Sequence, residues 1–127
     1  MREKVKIDIT AAKRLHLLLT EETGGDPGIR DEGLLDSALE SAYASFDTEE
    51  LYPTAEEKAA RLGFSLISNH AFVDGNKRIG MLVMMTYLRA SGVHFCPPSG
   101  EVARVGIAVA SGKMSYSELL DWILTNS

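Results

Sequence analysis

The sequence carries a single cysteine, Cys96, only four prolines, and aromatic side chains at 7% of its 127 positions. One thiol excludes an intramolecular disulfide and fits a reducing compartment, so a cytoplasmic location is expected. Long apolar runs are missing as well. The longest, Ile79 to Met85, falls far short of the roughly 20 residues that span a bilayer. The opening Met1-Arg-Glu-Lys-Val-Lys-Ile-Asp8 alternates charge with apolar residues and lacks the apolar centre of a signal peptide. No membrane association is expected. Basic charge is also scarce: 13 Lys and Arg face 18 Asp and Glu, for a net charge of −5, which argues against direct nucleic-acid binding. Repeats, low-complexity tracts and Pro- or Gly-rich linkers are absent, so residues 1–127 read as one domain.

Familiar catalytic patterns are missing too. His16 and His94 form no ligand spacing with His70 and read as structural, which argues against a zinc site. Gly63-Phe-Ser65 lacks the second glycine of a nucleophile elbow. Ala110-Ser-Gly-Lys-Met114 has methionine where a P-loop requires Ser or Thr.

What remains is helical punctuation. Thr10 to Thr23 places Ala11, Leu15, Leu18 and Leu19 on one face and ends at Gly24-Gly25. A second helix follows Asp31 with Leu34, Leu35, Ala38, Leu39 and Ala42 as its stripe. Ser45 to Pro53 loses that period and reads as a loop or short hairpin. Thr54-Ala-Glu-Glu57 and Ser115-Tyr-Ser-Glu118 are capping boxes that open helices running to about Asn69 and Thr125. Between them lie a helix over Arg78 to Ala90, apolar on nearly every side and so expected at the centre, and another over Ser99 to Ser111. The expected fold is an all-α, compact single-domain bundle of about six helices, with at most a small β-hairpin before the motif helices.

One segment has no simple structural explanation: His70-Ala-Phe-Val-Asp-Gly-Asn-Lys-Arg78. It puts a base, a carboxylate, a glycine and two cations at a helix N-terminus. Gly75 permits a positive φ, and the free N–H groups of the following helix converge on an anion, with phosphate the best fit. Lys77 supplies a point charge and Arg78 a two-pronged donor. Asp74 suits a magnesium ion, which takes one or two carboxylates together with substrate phosphates. Histidine is the side chain most easily set to remove a proton from a hydroxyl near neutral pH, which makes His70 the candidate base. Together these residues describe phosphoryl or nucleotidyl transfer. In the plainer reading the segment is an interhelical turn, with Asp74 as a cap and Lys77 and Arg78 on a solvated face.

The segment resembles the Fic motif, His-x-Phe-x-(Asp/Glu)-Gly-Asn-(Gly/Lys)-Arg, at all seven fixed positions. Gly28-Ile-Arg-Asp31, Leu34 to Leu39, Leu51-Tyr-Pro-Thr54 and Lys58-Ala-Ala60 resemble the Doc (death-on-curing) branch of that family. The likeness extends over roughly residues 5–113. It implies that His70 activates a target hydroxyl and that Asp74 ligates Mg2+. It also implies that Gly75, Asn76, Lys77 and Arg78 line the ATP phosphates, with Lys77 and Arg78 acting in catalysis, and that Phe72 anchors the loop. A hairpin within Phe46 to Pro53 would align the target.

Two departures from the common Fic pattern bear on the reaction. Lys77 stands where most members have glycine, and Met81 stands where most have a second arginine. Both match the Doc subgroup, for which the resemblance implies transfer of the γ-phosphate of ATP to a Ser or Thr hydroxyl. The target implied is a translation elongation factor, with arrest of translation and a toxin role beside an antitoxin. AMP transfer by the same residues, or a non-catalytic nucleotide-binding module, are the alternatives. The inhibitory pattern Ser/Thr-x-x-x-Glu-Gly/Asn is absent from these residues. Restraint is therefore expected from a separate protein that lays a helix into an apolar groove.

Overall fold

A computed structural model describes residues 5–127; the reading of Met1 to Lys4 lies outside the described residues. Six helices and one small hairpin follow in chain order: α1 (Ile9–Thr23), α2 (Glu32–Ser41), β1 (Ser45–Phe46), β2 (Glu49–Glu50), α3 (Ala55–Asn69), α4 (Asn76–Ala90), α5 (Glu101–Ala110) and α6 (Tyr116–Thr125). The all-α expectation is met. No helix among the described residues is long and apolar enough to cross a membrane.

The caps explain most boundaries. Asp8 and Asp31 accept the N–H groups of Ala11 and Leu34 and start α1 and α2. Both expected capping boxes form, Thr54 with Glu57 and Ser115 with Glu118. Two starts differ from expectation. Helix α5 begins at Glu101 after a left-handed Gly100 rather than at Ser99. Helix α4 begins at Asn76, two residues early, so Asn76, Lys77 and Arg78 form its first turn.

The centre is a pair of helices rather than α4 alone. Helix α3 buries Lys58, Gly63 and Ser65 as well as Leu62, Leu66 and Ile67, and those non-apolar members hid its central place. The two helices meet at Gly63 and Gly80. A Cβ on Gly80 would lie 2.5 Å from Ile67 Cγ1 and 3.0 Å from the Gly63 carbonyl oxygen, so only glycine permits this approach. Helix α1 corrects a second expectation. Its buried face carries Ala12, His16 and Thr20, while Leu18 is exposed. Helix α6 is tied down by the Trp122 indole, which donates to Glu101 Oε1 at 2.7 Å, and by the Tyr116 hydroxyl, which donates to the Glu57 carbonyl.

The expected hairpin forms, turning through Asp47 and Thr48 at positive φ. It sits at the far end of α3 from the motif. Buried Lys58 donates to the Tyr52 carbonyl and pairs with Glu50 at 3.0 Å, and Arg61 lies over the Tyr52 ring. These contacts hold the hairpin against the first turns of a 15-residue helix, about 22 Å long, whose other end leads into His70. The hairpin's expected role beside the nucleotide therefore has no structural basis here.

Because overpacking costs about 1–3 kcal/mol against a helix-propensity gain of at most about 1 kcal/mol, Gly80→Ala is expected to lower the urea midpoint. A second expectation concerns alkaline pH. The Tyr43 hydroxyl accepts the Ile7 N–H at 3.0 Å, and burial pushes its pKa up to about 12. Burial pushes Tyr116 to about 12 as well. An unfolded tyrosine ionises near pH 10, so between pH 10 and about 12 the folded state binds more protons and stability falls as pH rises. Urea midpoints measured across that range should fall less steeply in Tyr43→Phe than in the native protein.

Candidate active site

The segment from His70 to Arg78 is the turn between α3 and α4, so its two halves are placed by the ends of two packed helices. At the end of α3, His70 adopts a left-handed backbone with φ 51° and ψ 46°, a region sparsely populated by residues other than glycine. Arg30 holds it there. Its Nε donates to the His70 carbonyl at 2.7 Å and its Nη2 to the Asn69 carbonyl at 3.2 Å; carbonyls at a helix end have no intrahelical donor. The His70 ring is on an exposed residue, open to a substrate.

The loop is then paired along its length with Gly28 to Asp31. Ile29 and Phe72 form an isolated antiparallel bridge, Val73 N–H donates to the Gly28 carbonyl, and Arg30 and Asp31 N–H groups both donate to the Ala71 carbonyl. This extended segment, rather than the distant hairpin, borders the motif. Phe72 is 1% exposed and anchors the loop as expected. The His16 ring stacks on it at 3.8 Å and 18°, and His16 Nε2 reaches the Asp74 carbonyl at 2.8 Å. The structural reading of His16 holds, but it stands directly beneath the loop.

Asn76 uses its side chain within the loop. Its side-chain Oδ1 accepts the Phe72 N–H at 3.1 Å while its Nδ2 donates to the Phe72 carbonyl at 3.0 Å. The side chain clips the turn closed, which leaves its backbone N–H as the group directed to the expected phosphate site. Gly75 follows at φ 76° and caps α4 without any side-chain hydrogen bond. The first intrahelical bond there runs from Ile79 N–H to the Gly75 carbonyl. The N–H groups of Asn76, Lys77 and Arg78 are thus left at the positive pole of a 15-residue helix. That is the geometry of an anion site.

Asp74 is exposed. Its Oδ1 accepts the Gly75 N–H at 2.8 Å, and its Oδ2 lies 2.7 Å from where a Cβ on Gly25 would stand. The turn after α1 can pass this close only as glycine. No group of three or more His, Cys, Asp or Glu gathers among the described residues, so any metal here would have one carboxylate from this loop. That donor set fits Mg2+ completed by phosphates and water, and fits a structural zinc poorly.

Lys77 and Arg78 are exposed and have no ion-pair partner among the described residues. Both line a groove of about 640 Å3 with Leu19, Met81, Leu82, Met85, Val102 and Ile107. Met81 is only 4% exposed and packs against Gly106, so it contributes bulk and no charge. Arg30 and His16 are two loop-contacting residues that motif reading missed. Each acts through the loop backbone, and neither sits at a spacing that a local pattern could report. Since the Asn76 amide makes both of its hydrogen bonds to one backbone unit, Asn76→Ala is expected to cost about 1–3 kcal/mol in urea unfolding. It should also speed hydrogen exchange at the Phe72 amide.

The family model for the Fic/DOC family matches residues 6–88. A protein named Toxin Doc from Mycolicibacterium smegmatis (strain ATCC 700084 / mc(2)155) is 44% identical over 70 residues, which is 55% of this chain and 54% of that protein. The chain thus spans about half the length of this relative. A protein named Protein kinase doc from Escherichia phage P1 is 30% identical over 107 residues, 84% of this chain and 83% of that one. The region matched by the family model contains the whole loop from His70 to Arg78, all of α3, α4 as far as Leu88 and the Arg30 segment, and the chain belongs to the Fic/DOC family.

Proposed function

We propose that this chain is a Doc-type toxin that transfers the γ-phosphate of ATP to a Ser or Thr hydroxyl of a protein target, with His70 as the general base. The observation that carries the reading is the uncapped start of α4. Three backbone N–H groups and two cations, all without a partner among the described residues, face the same end of the helix pair that presents the exposed His70. His70 takes the hydroxyl proton, the hydroxyl oxygen bonds to the γ-phosphorus, and the bond from that phosphorus to the bridging oxygen breaks to release ADP. Lys77, Arg78 and the helix amides stabilise charge on the transferring group. Asp74 would hold Mg2+, which neutralises phosphate charge when bound.

The Lys77 side chain at the first turn and the buried, uncharged Met81 favour γ-phosphate transfer over AMP transfer. The first fills space that a glycine would leave open, and the second removes a cation expected at the terminal phosphates. The names Toxin Doc and Protein kinase doc carried by the two relatives support the same reading. The target proposed is a translation elongation factor. An antitoxin is the proposed partner, and the groove beside Lys77 and Arg78 suits an amphipathic helix with acidic residues along its edge.

The test is incubation in a bacterial extract with ATP labelled at either the γ- or the α-phosphate. The γ label alone should reach protein, and His70→Ala should reduce that transfer by at least about 100-fold. Transfer of the α label would establish adenylylation instead, and labelling unaffected by His70→Ala would leave a non-catalytic module.

A further inference from the structure

Helix α1 fills a fully buried position with an imidazole, although an aliphatic side chain would serve packing alone. His16 is 1% exposed, and a polar ring buried so deeply requires a hydrogen-bond partner. The partner is the Asp74 carbonyl, 58 residues away in sequence and 2.8 Å in space. We infer that His16 is a positioning residue of the phosphate loop: its Nε2–H fixes the Asp74–Gly75 peptide and so aims both the Asp74 carboxylate and the entry into α4.

The step from one hydrogen bond to the whole loop is covalent. The Asp74 carbonyl and the Gly75 N–H belong to one planar peptide unit, so holding the oxygen also sets the direction of the N–H. That N–H donates to Asp74 Oδ1, which ties the carboxylate to the same plane. Gly75, at φ 76°, has no Cβ to restrict it, and a plane next to such a residue needs an external hold. The ring supplying that hold is itself fixed by stacking on Phe72. The ring is in direct reach of Gly75 as well: a Cβ there would meet His16 Nε2 at 3.7 Å, an ordinary van der Waals contact.

This inference rests on the loop being the phosphate site, and its test separates the two ideas. His16→Phe keeps a stacking ring but has no donor. His16→Gln places an amide Nε2 the same number of bonds from Cβ and restores the donor. In His16→Phe, amide exchange at Phe72 and Ile79, whose N–H groups bond to Asn76 Oδ1 and the Gly75 carbonyl, should quicken about tenfold. Leu66 and Val83 should be unchanged. The kcat/KM for γ-phosphate transfer should fall about tenfold, and His16→Gln should return both readouts to within about threefold of native.

Native exchange at Phe72 and Ile79 in folded His16→Phe overturns the inference. So does acceleration spread equally to Leu66 and Val83, or failure of glutamine to restore the loop. In the native protein, long-range 1H–15N spectra should show the His16 proton on Nε2, and a ring protonated on Nδ1 alone overturns it without any variant. If the native protein transfers no phosphate, the proposed reaction fails, while exchange and tautomer still decide the place of His16.

Discussion

The close approach of α3 and α4 at Gly63 and Gly80 is the constraint on which the rest of the molecule depends. Two adjacent antiparallel helices joined by a short turn present one C-terminus and one N-terminus side by side. A C-terminus offers carbonyls that attract a donor such as Arg30, and an N-terminus offers amides that attract an anion. The site is therefore a consequence of how the central pair is connected. Residues that look ordinary in a helix, such as Gly80 and Ile67, determine how close its two halves stand.

Loops with free amides must be held by something other than those amides, and here three independent elements do so. The Asn76 side chain closes the turn from within, the Gly28 to Asp31 segment pairs with its backbone, and α1 supports it from below through His16. The N–H groups of Asn76, Lys77 and Arg78 remain outside that scaffolding. Rigidity and vacancy of hydrogen bonds coexist because different atoms of the same residues serve each purpose, most plainly in Asn76.

Charge follows the same division. The first fifty residues hold 12 acidic and 6 basic side chains, and the remainder 6 and 7. Lys77 and Arg78, which have no ion-pair partner among the described residues, belong to the second group. Several acids of the first part are engaged in caps and ion pairs, including Asp8, Asp31, Glu32 and Glu40. The net negative charge describes the scaffold, whereas the loop presents a locally positive surface.

The sequence alone determined whatever is local. Caps such as Thr54 with Glu57 involve atoms three residues apart, and the candidate site residues His70, Asp74, Lys77 and Arg78 lie within one stretch of nine, so both could be read directly. The chain's own spacing also located a hairpin near Ser45, because turn chemistry is local. Only the tertiary structure decided which end of α3 that hairpin occupies, and which face of α1 lies inward. Apolar periodicity favoured Leu18, but burial went to His16, whose donor meets a carbonyl that the loop leaves bare. Arg30 and Asn76 follow the same logic: their partners are backbone atoms, and a sequence does not show which backbone atoms a fold will leave without partners.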